Sequence, residues 1–494
     1  MDGMSSATPP LRLQGRGSFV AAARRVADLP GPRGWPIVGN TPQLKAGAPH
    51  ASLEAWALRY GPLFRLHFGP YRAVGVAEPG LIEQLLRNRP EALRRSPRVS
   101  QLIEETGLSG VFSAEGEAWR RQRRLVMRAL TPEVVRECFP TIATVTQRLC
   151  ARWHAAVDRG GQPDVLRDLK CYSVDVTTWM TLGLDLDTLR HDSAGLQDDI
   201  DLWFRAIGRR LPLPLPYWRV FKLPFDRRAD AALQRLKALI DRIIADTRQQ
   251  MQHQPALRLR PRNIVQALVV ARDQPDSGFS DEDVRGNVAV MLLAGEDTTA
   301  NTLAWLLAHL AQAPQACTVA RAEAREVLAG RPVLGDFADL DRLPQLEAAT
   351  LESMRLKPIA PLIALQAQVD LDLAGLLVPR GHLLFLMTRL CATSELHHEH
   401  AQRFAPQRWL REPGESETDP RRSLFAFGGG PRHCPGRYLA MAEIKMVMSM
   451  ALAGFDLRLA APPGGIAELS GLTMVPAALP LQLLARRDAA HPAA

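Results

Sequence analysis

Apolar residues recur at three- and four-residue spacing over most of this chain, the signature of amphipathic helices. The spacing predicts helices over residues 50–60, 79–87, 117–128, 132–160, 163–190, 226–252, 261–270, 280–312 and 343–357. Alternation with a period of two is confined to short runs. Residues 63–66 and 72–76 read as a hairpin around Phe68-Gly69-Pro70, and 359–364 with 381–387 read as a small sheet. Leu472-Thr473-Met474-Val475-Pro476 reads as a hairpin near the C-terminus. Proline and glycine break the helical pattern at 29–40 and again at 211–225, where proline alternates with apolar residues. That second stretch predicts a mobile apolar loop lidding a hydrophobic pocket. Residues 96–117 are irregular and partly apolar, which predicts a substrate-contacting loop. The whole reads as mainly α with a smaller β region, one domain over 29–494 behind a flexible leader, 1–28.

The longest predicted helix carries the first chemical signal. Ser280 and Asp283 have the spacing of a capping box, Phe279 can staple the first turn, and Pro314 stops the pattern. About 32 residues at 1.5 Å each span roughly 48 Å. Its middle reads Met291-Leu-Leu-Ala294-Gly295-Glu296-Asp297-Thr298-Thr299-Ala300-Asn301. Carboxylates and β-hydroxyls compete for backbone hydrogen bonds and are unfavourable inside an apolar helix. An ordinary exposed polar turn would explain them. The functional alternative is that Gly295 lets the helix bulge or a ligand approach, a hydroxyl holds a water or oxygen species, and a carboxylate passes protons.

Composition narrows the setting. The chain has 494 residues, 46% hydrophobic and 23% charged, enough to bury a large core. Its net charge of +9 rests almost wholly on arginine and invites an acidic partner. No zinc-finger, RNA-recognition or basic-zipper pattern accompanies it, so no nucleic-acid partner is expected. Cysteines 138, 150, 171, 317, 391 and 434 form no CxxC pair, the pattern of reduced intracellular thiols. No run of 18 apolar residues and no apolar signal segment occurs, so neither a transmembrane anchor nor secretion is expected. These features predict a soluble cytoplasmic protein, and the arginine-heavy composition leans bacterial.

Three further constellations carry chemistry. Phe427-Gly-Gly-Gly-Pro-Arg432-His-Cys434-Pro-Gly436 surrounds one cysteine with residues that build a tight, stiff loop, and a helical pattern follows. Arg432 and the helix N-terminus both favour a thiolate. Trp119 and Arg123 are four apart on one helix, where an indole N–H and a guanidinium can clamp a carboxylate. Glu352 and Arg355 are i,i+3 partners on the helix ended by Pro358.

The order F-x-x-G-x-R-x-C-x-G resembles the haem-binding loop of the cytochrome P-450 family, and the other motifs follow the family's order over about residues 29–487. The resemblance implies that fold, with haem b (iron protoporphyrin IX) between the long helix and the cysteine loop. It implies Cys434 as axial iron ligand, Phe427 and Gly436 as loop residues against the cofactor, and Trp119, Arg123 and Arg432 on the propionates. It implies Asp297 and Thr298 as acid and alcohol of oxygen activation, and Glu352, Arg355 and Arg408 as a buried structural set. Gln407 stands where the family usually has glutamate, and Leu365 where many members have a propionate-binding arginine. The expected activity is insertion of one atom of O2 into a lipophilic small molecule. Electrons would come to the monomer from a ferredoxin or flavodoxin-type donor with its reductase. Alternatives are a peroxide-driven peroxygenase and a haem-binding sensor. Phe112, Met291, Ala294, Ile363 and Met474 are the pocket candidates.

Overall fold

The computed structural model describes residues 11–13, 24–191, 194–213, 215–275, 277–411, 419–460 and 465–486. Its axis is the helix Asp281–Gln312. The Ser280 hydroxyl accepts from the Asp283 N–H at 3.1 Å and the Asp283 carboxylate accepts from the Ser280 N–H at 2.9 Å. Two otherwise unpartnered donors are thereby satisfied, as the capping pattern predicts. Most of this helix is buried, with Val165–Leu182 packed along it.

Gly295 does not bulge the helix, which continues unbroken through it. A Cβ there would stand 2.3 Å from Thr177 Oγ1 on the facing helix, so the glycine serves close helix–helix approach. Further toward the N-terminus, Gly286 admits a loop: its Cβ would lie 1.6 Å from the Ser109 carbonyl oxygen. The Val111 N–H donates to Asn287 Oδ1 at 3.0 Å and pins that loop to the helix.

The stretch expected as an irregular loop from residue 96 contains a helix, Pro97–Thr106. Val99, Leu102, Ile103 and Thr106 are buried at helical spacing, a short amphipathic face bounded by Ser96 and Gly107. The helix Ala194–Arg210 was also not anticipated. The proline-rich loop after it is tied down at its base. Arg98 donates to the carbonyls of Arg210 and Leu213 (2.9 and 2.6 Å), and Trp218 Nε1 donates to Glu105 (2.9 Å). Leu215, Val220 and Phe221 stay exposed.

A five-stranded sheet has the order Leu63–Phe68, Tyr71–Val76, Leu383–Leu386, Ile363–Ala367, Leu93–Arg95. Its last pairing sets Arg95 directly opposite Leu365. Two antiparallel pairs lie near the C-terminus, Phe455–Leu459 with Leu481–Ala485 and, between these in sequence, the hairpin of Glu468–Ser470 with Met474–Pro476. Within the expected leader, Leu11–Leu13 runs parallel to Leu371–Leu373 and Arg24–Arg25 lies beside Leu376 and Leu377. Its residues 1–10 and 14–23 lie outside the described residues.

Candidate functional site

Cys434 follows the turn Gly430–Arg432 and precedes the helix Arg437–Gly454. Its N–H donates to the Phe427 carbonyl at 2.8 Å, which closes the loop on itself. Gly430 has φ +62°, and a Cβ there would be 2.1 Å from the Leu86 carbonyl oxygen, so only glycine fits. A Cβ on Gly436 would touch Cys434 Sγ at 4.0 Å. All six cysteines are free, and Cys150, Cys171, Cys317 and Cys391 are buried. Burial pushes the Cys150 thiol up to about 12 and Cys171 to about 11, values of inert thiols.

Cys434 and Cys138 are half-buried instead, and burial and Glu137 push the Cys138 thiol up. At Cys434 the surroundings differ. Burial raises its pKa too, opposed by the Gly436 N–H and the charges of Arg123 and Arg437. The expected role of Arg432 beside the sulfur is corrected by its direction. Arg432 Nη2 donates to the Ala114 carbonyl at 2.7 Å and to the Glu115 carboxylate, and its guanidinium covers the Trp119 ring at 4.5 Å.

Trp119 and Arg123 sit on the helix Gly116–Ala129 and both reach the cysteine loop. Arg123 Nη2 donates to the His433 carbonyl at 2.6 Å. Sequence reasoning missed Arg95 and Arg89. The Arg95 guanidinium lies 3.7 Å from the centre of the Phe112 ring, and its Nε donates to the Phe112 carbonyl at 3.1 Å. Burial and the charges of neighbouring arginines push Arg95 down to about 9 and Arg89 to about 10. The Glu115 carboxylate opposes both shifts. Arg89 Nε and Nη2 and Arg432 Nε are buried without a partner. Buried like charges with unused donors fit carboxylates supplied from outside the chain. Arg95 places a cation directly opposite Leu365, the position at which many family members carry an arginine and this chain does not.

On the long helix Ala294 is exposed and Gly295 and Thr298 are half-exposed, among buried neighbours. The Thr298 hydroxyl donates to the Ala294 carbonyl at 2.8 Å, which leaves its oxygen free to accept. Asp297 is buried, and its Oδ1 accepts from Asn301 Nδ2 at 2.9 Å. Burial raises the Asp297 pKa, with Thr473, Lys170 and Asn301 opposing the rise. Asn301 was another missed residue, although its i+4 spacing from Asp297 was visible.

The other pocket candidates separate. Ile363 is half-buried and Met291 is buried. Phe112 lies under Arg95. Met474 is fully buried, its sulfur 3.6 Å from Arg389, so the hairpin tip consists of Gly471, Leu472 and Thr473 instead.

Glu352 and Arg355 form a buried bidentate pair at 2.9 Å. Arg408 Nε, the Ala405 N–H and Trp409 Nε1 also donate to the same carboxylate at 2.8–2.9 Å. Arg355 in turn donates to the carbonyls of Ala392 and Ala401 (2.6 and 2.7 Å).

A family model described as Cytochrome P450 matches residues 29–478. The chain belongs to the cytochrome P450 family. It is 28% identical to human 25-hydroxyvitamin D-1 alpha hydroxylase, mitochondrial, over 89% of each chain. It is 26% identical to Protein LUTEIN DEFICIENT 5, chloroplastic, of Arabidopsis thaliana, over 82% of this chain and 69% of that one. Cytochrome P450 monooxygenase 205 of Postia placenta is 27% identical over 91% and 89%. As a P450, the chain is a haem-iron oxidoreductase that incorporates oxygen and draws on a redox partner. The expected cytoplasmic location is overturned by these mitochondrial and chloroplastic relatives. The bacterial leaning finds no support among plant, mammalian and fungal relatives. Among the described residues, no helix is long and apolar enough to cross a membrane.

Proposed function

We propose a haem-thiolate monooxygenase that hydroxylates or epoxidises a lipophilic small molecule, with haem b held by Cys434 Sγ. The half-buried thiol beside the Gly436 N–H and two arginines, set apart from four buried and inert thiols, is the observation that carries this. The bound cofactor would supply oxygen activation, with thiolate donation favouring O–O cleavage. Arg95, Arg89 and Arg432, with Trp119 and Arg123, would hold the propionates and orient the group. Leu365 is no deficit in this arrangement, because Arg95 supplies the cation from the adjacent strand.

Thr298 presents an acceptor oxygen on the open face of the long helix, and Asp297, fixed by Asn301, supplies the proton. Ala294, Ile363 and Leu472 offer apolar surface, which suits a lipophilic substrate. Cys434→Ala is expected to abolish turnover and the spectral signature of thiolate ligation in the reduced, CO-bound state. Retained turnover would end this reading.

Electrons would reach the cysteine side from an acidic ferredoxin or flavodoxin-type protein. Arg120 is engaged by Glu91 and Glu117, and Arg121 leans on the Gly278 carbonyl. Arg124, Arg128 and Arg437 remain exposed for steering. Reduction rates should fall with added salt and by about tenfold in Arg124→Glu/Arg437→Glu. Rates indifferent to both would place docking elsewhere.

A further inference from the structure

Beside Asp297 the interior holds a second acid that the acid–alcohol pair does not explain. Glu296 is completely buried, and neither of its carboxyl oxygens has a hydrogen-bond partner. An ionised carboxylate there, with no partner to replace its water, would be strongly disfavoured. Burial, with Asp297 and Asp201 nearby, drives its pKa well above the usual range against Lys170 alone. Glu296 is therefore a neutral carboxylic acid carrying a proton it does not spend on any bond.

The facing helix Val165–Leu182 turns one polar face toward it. Lys170, Ser173 and Thr177 are spaced three and four apart, so they share a side. The Ser173 and Thr177 hydroxyls are buried without partners, and Thr177 stands against Gly295, the residue preceding Glu296. At the outer end Lys170 pairs with Asp201 of the helix Ala194–Arg210, with their side chains 15% and 30% exposed. A line of polar groups thus leads from a partly exposed ion pair, past two unused hydroxyls, to a neutral acid adjoining Asp297. Such a row of unsatisfied buried atoms calls for an explanation.

We propose that Glu296 recharges Asp297 with protons drawn from the surface past Lys170 and Asp201. This rests on the reading of Asp297 as the proton source of oxygen activation. The Glu296 O–H bond breaks as an O–H bond forms on an intervening water, which passes one of its own protons to the Asp297 carboxylate, because the two carboxyls do not bond to each other directly. Glu296 regains its proton from solvent through water bridging the Ser173 and Thr177 hydroxyls, which bond to no protein group, each hydroxyl accepting one proton as it releases another. No electron moves, and Lys170 stays charged and fixes Asp201 at the mouth. The monooxygenase reaction consumes protons with every O2 reduced, so a supply line is required.

Infrared spectroscopy of the holoenzyme in D2O tests the first part. A protonated-carboxyl band should be present in the wild type and weakened in Glu296→Gln; no change between the two overturns the proposal. O2 itself is the probe for the second part. The holoenzyme is mixed rapidly with oxygenated buffer in H2O and in D2O, with enough chemical reductant to supply both electrons that O2 reduction takes. Glu296→Gln should consume O2 at least about tenfold more slowly with a larger solvent isotope effect, and Thr177→Val should do so more mildly. A wild-type rate and isotope effect in Glu296→Gln, with Asp297→Asn slow, sinks the relay alone. Wild-type behaviour in both variants sinks the reading of Asp297 on which the relay rests.

Discussion

At the residue scale, the value of a charge here depends on what surrounds it. Glu352 is fully buried and accepts from Arg355, Arg408, Trp409 and the Ala405 N–H. Burial raises its pKa, but Arg355 first and then the other donors outweigh that, so it is held below the ordinary value. Removing Arg355 leaves a carboxylate with no way back to water, and Arg355→Ala should cost about 3–5 kcal/mol in denaturant unfolding. Arg120, on exposed pairs with Glu91 and Glu117, should be replaceable by alanine without a measurable change. The Glu352–Arg355 pair was legible from i,i+3 spacing, and Arg408 came with the family resemblance. Trp409 was not legible, because an indole donor has no spacing rule tying it to a carboxylate 57 positions away. Arg95 was missed for the same reason: its meaning depends on standing opposite Leu365 in a sheet whose register no local pattern reveals.

Elements were read well where local chemistry and tertiary packing agree. The helix Asp281–Gln312 has a cap, a stop and a long apolar run, and its bounds match expectation. Pro97–Thr106 was hidden because ten residues give one apolar face too short to stand out from a loop. Glycines inside the long helix were visible, but their purpose was not, since a missing Cβ says nothing of what fills its place. Gly286 faces backbone that cannot turn away, held by the bond from Val111 to Asn287. Gly286→Ala should therefore lower the unfolding midpoint by the equivalent of about 1–3 kcal/mol at unchanged denaturant slope. Gly295 faces the end of a side chain instead. Gly295→Ala should cost less, and Thr177→Ala in the same chain should recover part of the loss, a coupling that a double-mutant cycle reads directly.

For the whole molecule, charge and burial meet in the response to acid. His309 projects from the long helix into the region that holds Glu352 and Arg355; its Nδ1 is 2.9 Å from Ser353 Oγ and its ring stacks on Phe404 at 5.0 Å. Burial, with the charges of Lys357 and Arg355 outweighing Glu352, lowers its pKa from 6.5 to about 4. The unfolded chain therefore binds a proton at His309 between about pH 6.5 and pH 4 that the folded chain refuses. Stability from this group is present above pH 6.5 and is lost as the pH falls toward 4, at up to ~1.4 kcal/mol per unit and about 3 kcal/mol in all. His398, bonded to Ser423 and lowered to about 4 by burial, changes in the same direction. Buried acids such as Glu296 and Glu443, held neutral by burial, pull the other way, so the raw pH curve of the protein mixes both signs. The difference between wild type and His309→Asn isolates one group. Unfolding free energies of the two proteins should run parallel above pH 7, then converge below it as the wild type alone loses the His309 contribution. Curves that stay parallel down to pH 4.5 would mean that the folded protein accepts the proton, and that the buried contact between the long helix and Phe404 opens at mild acidity.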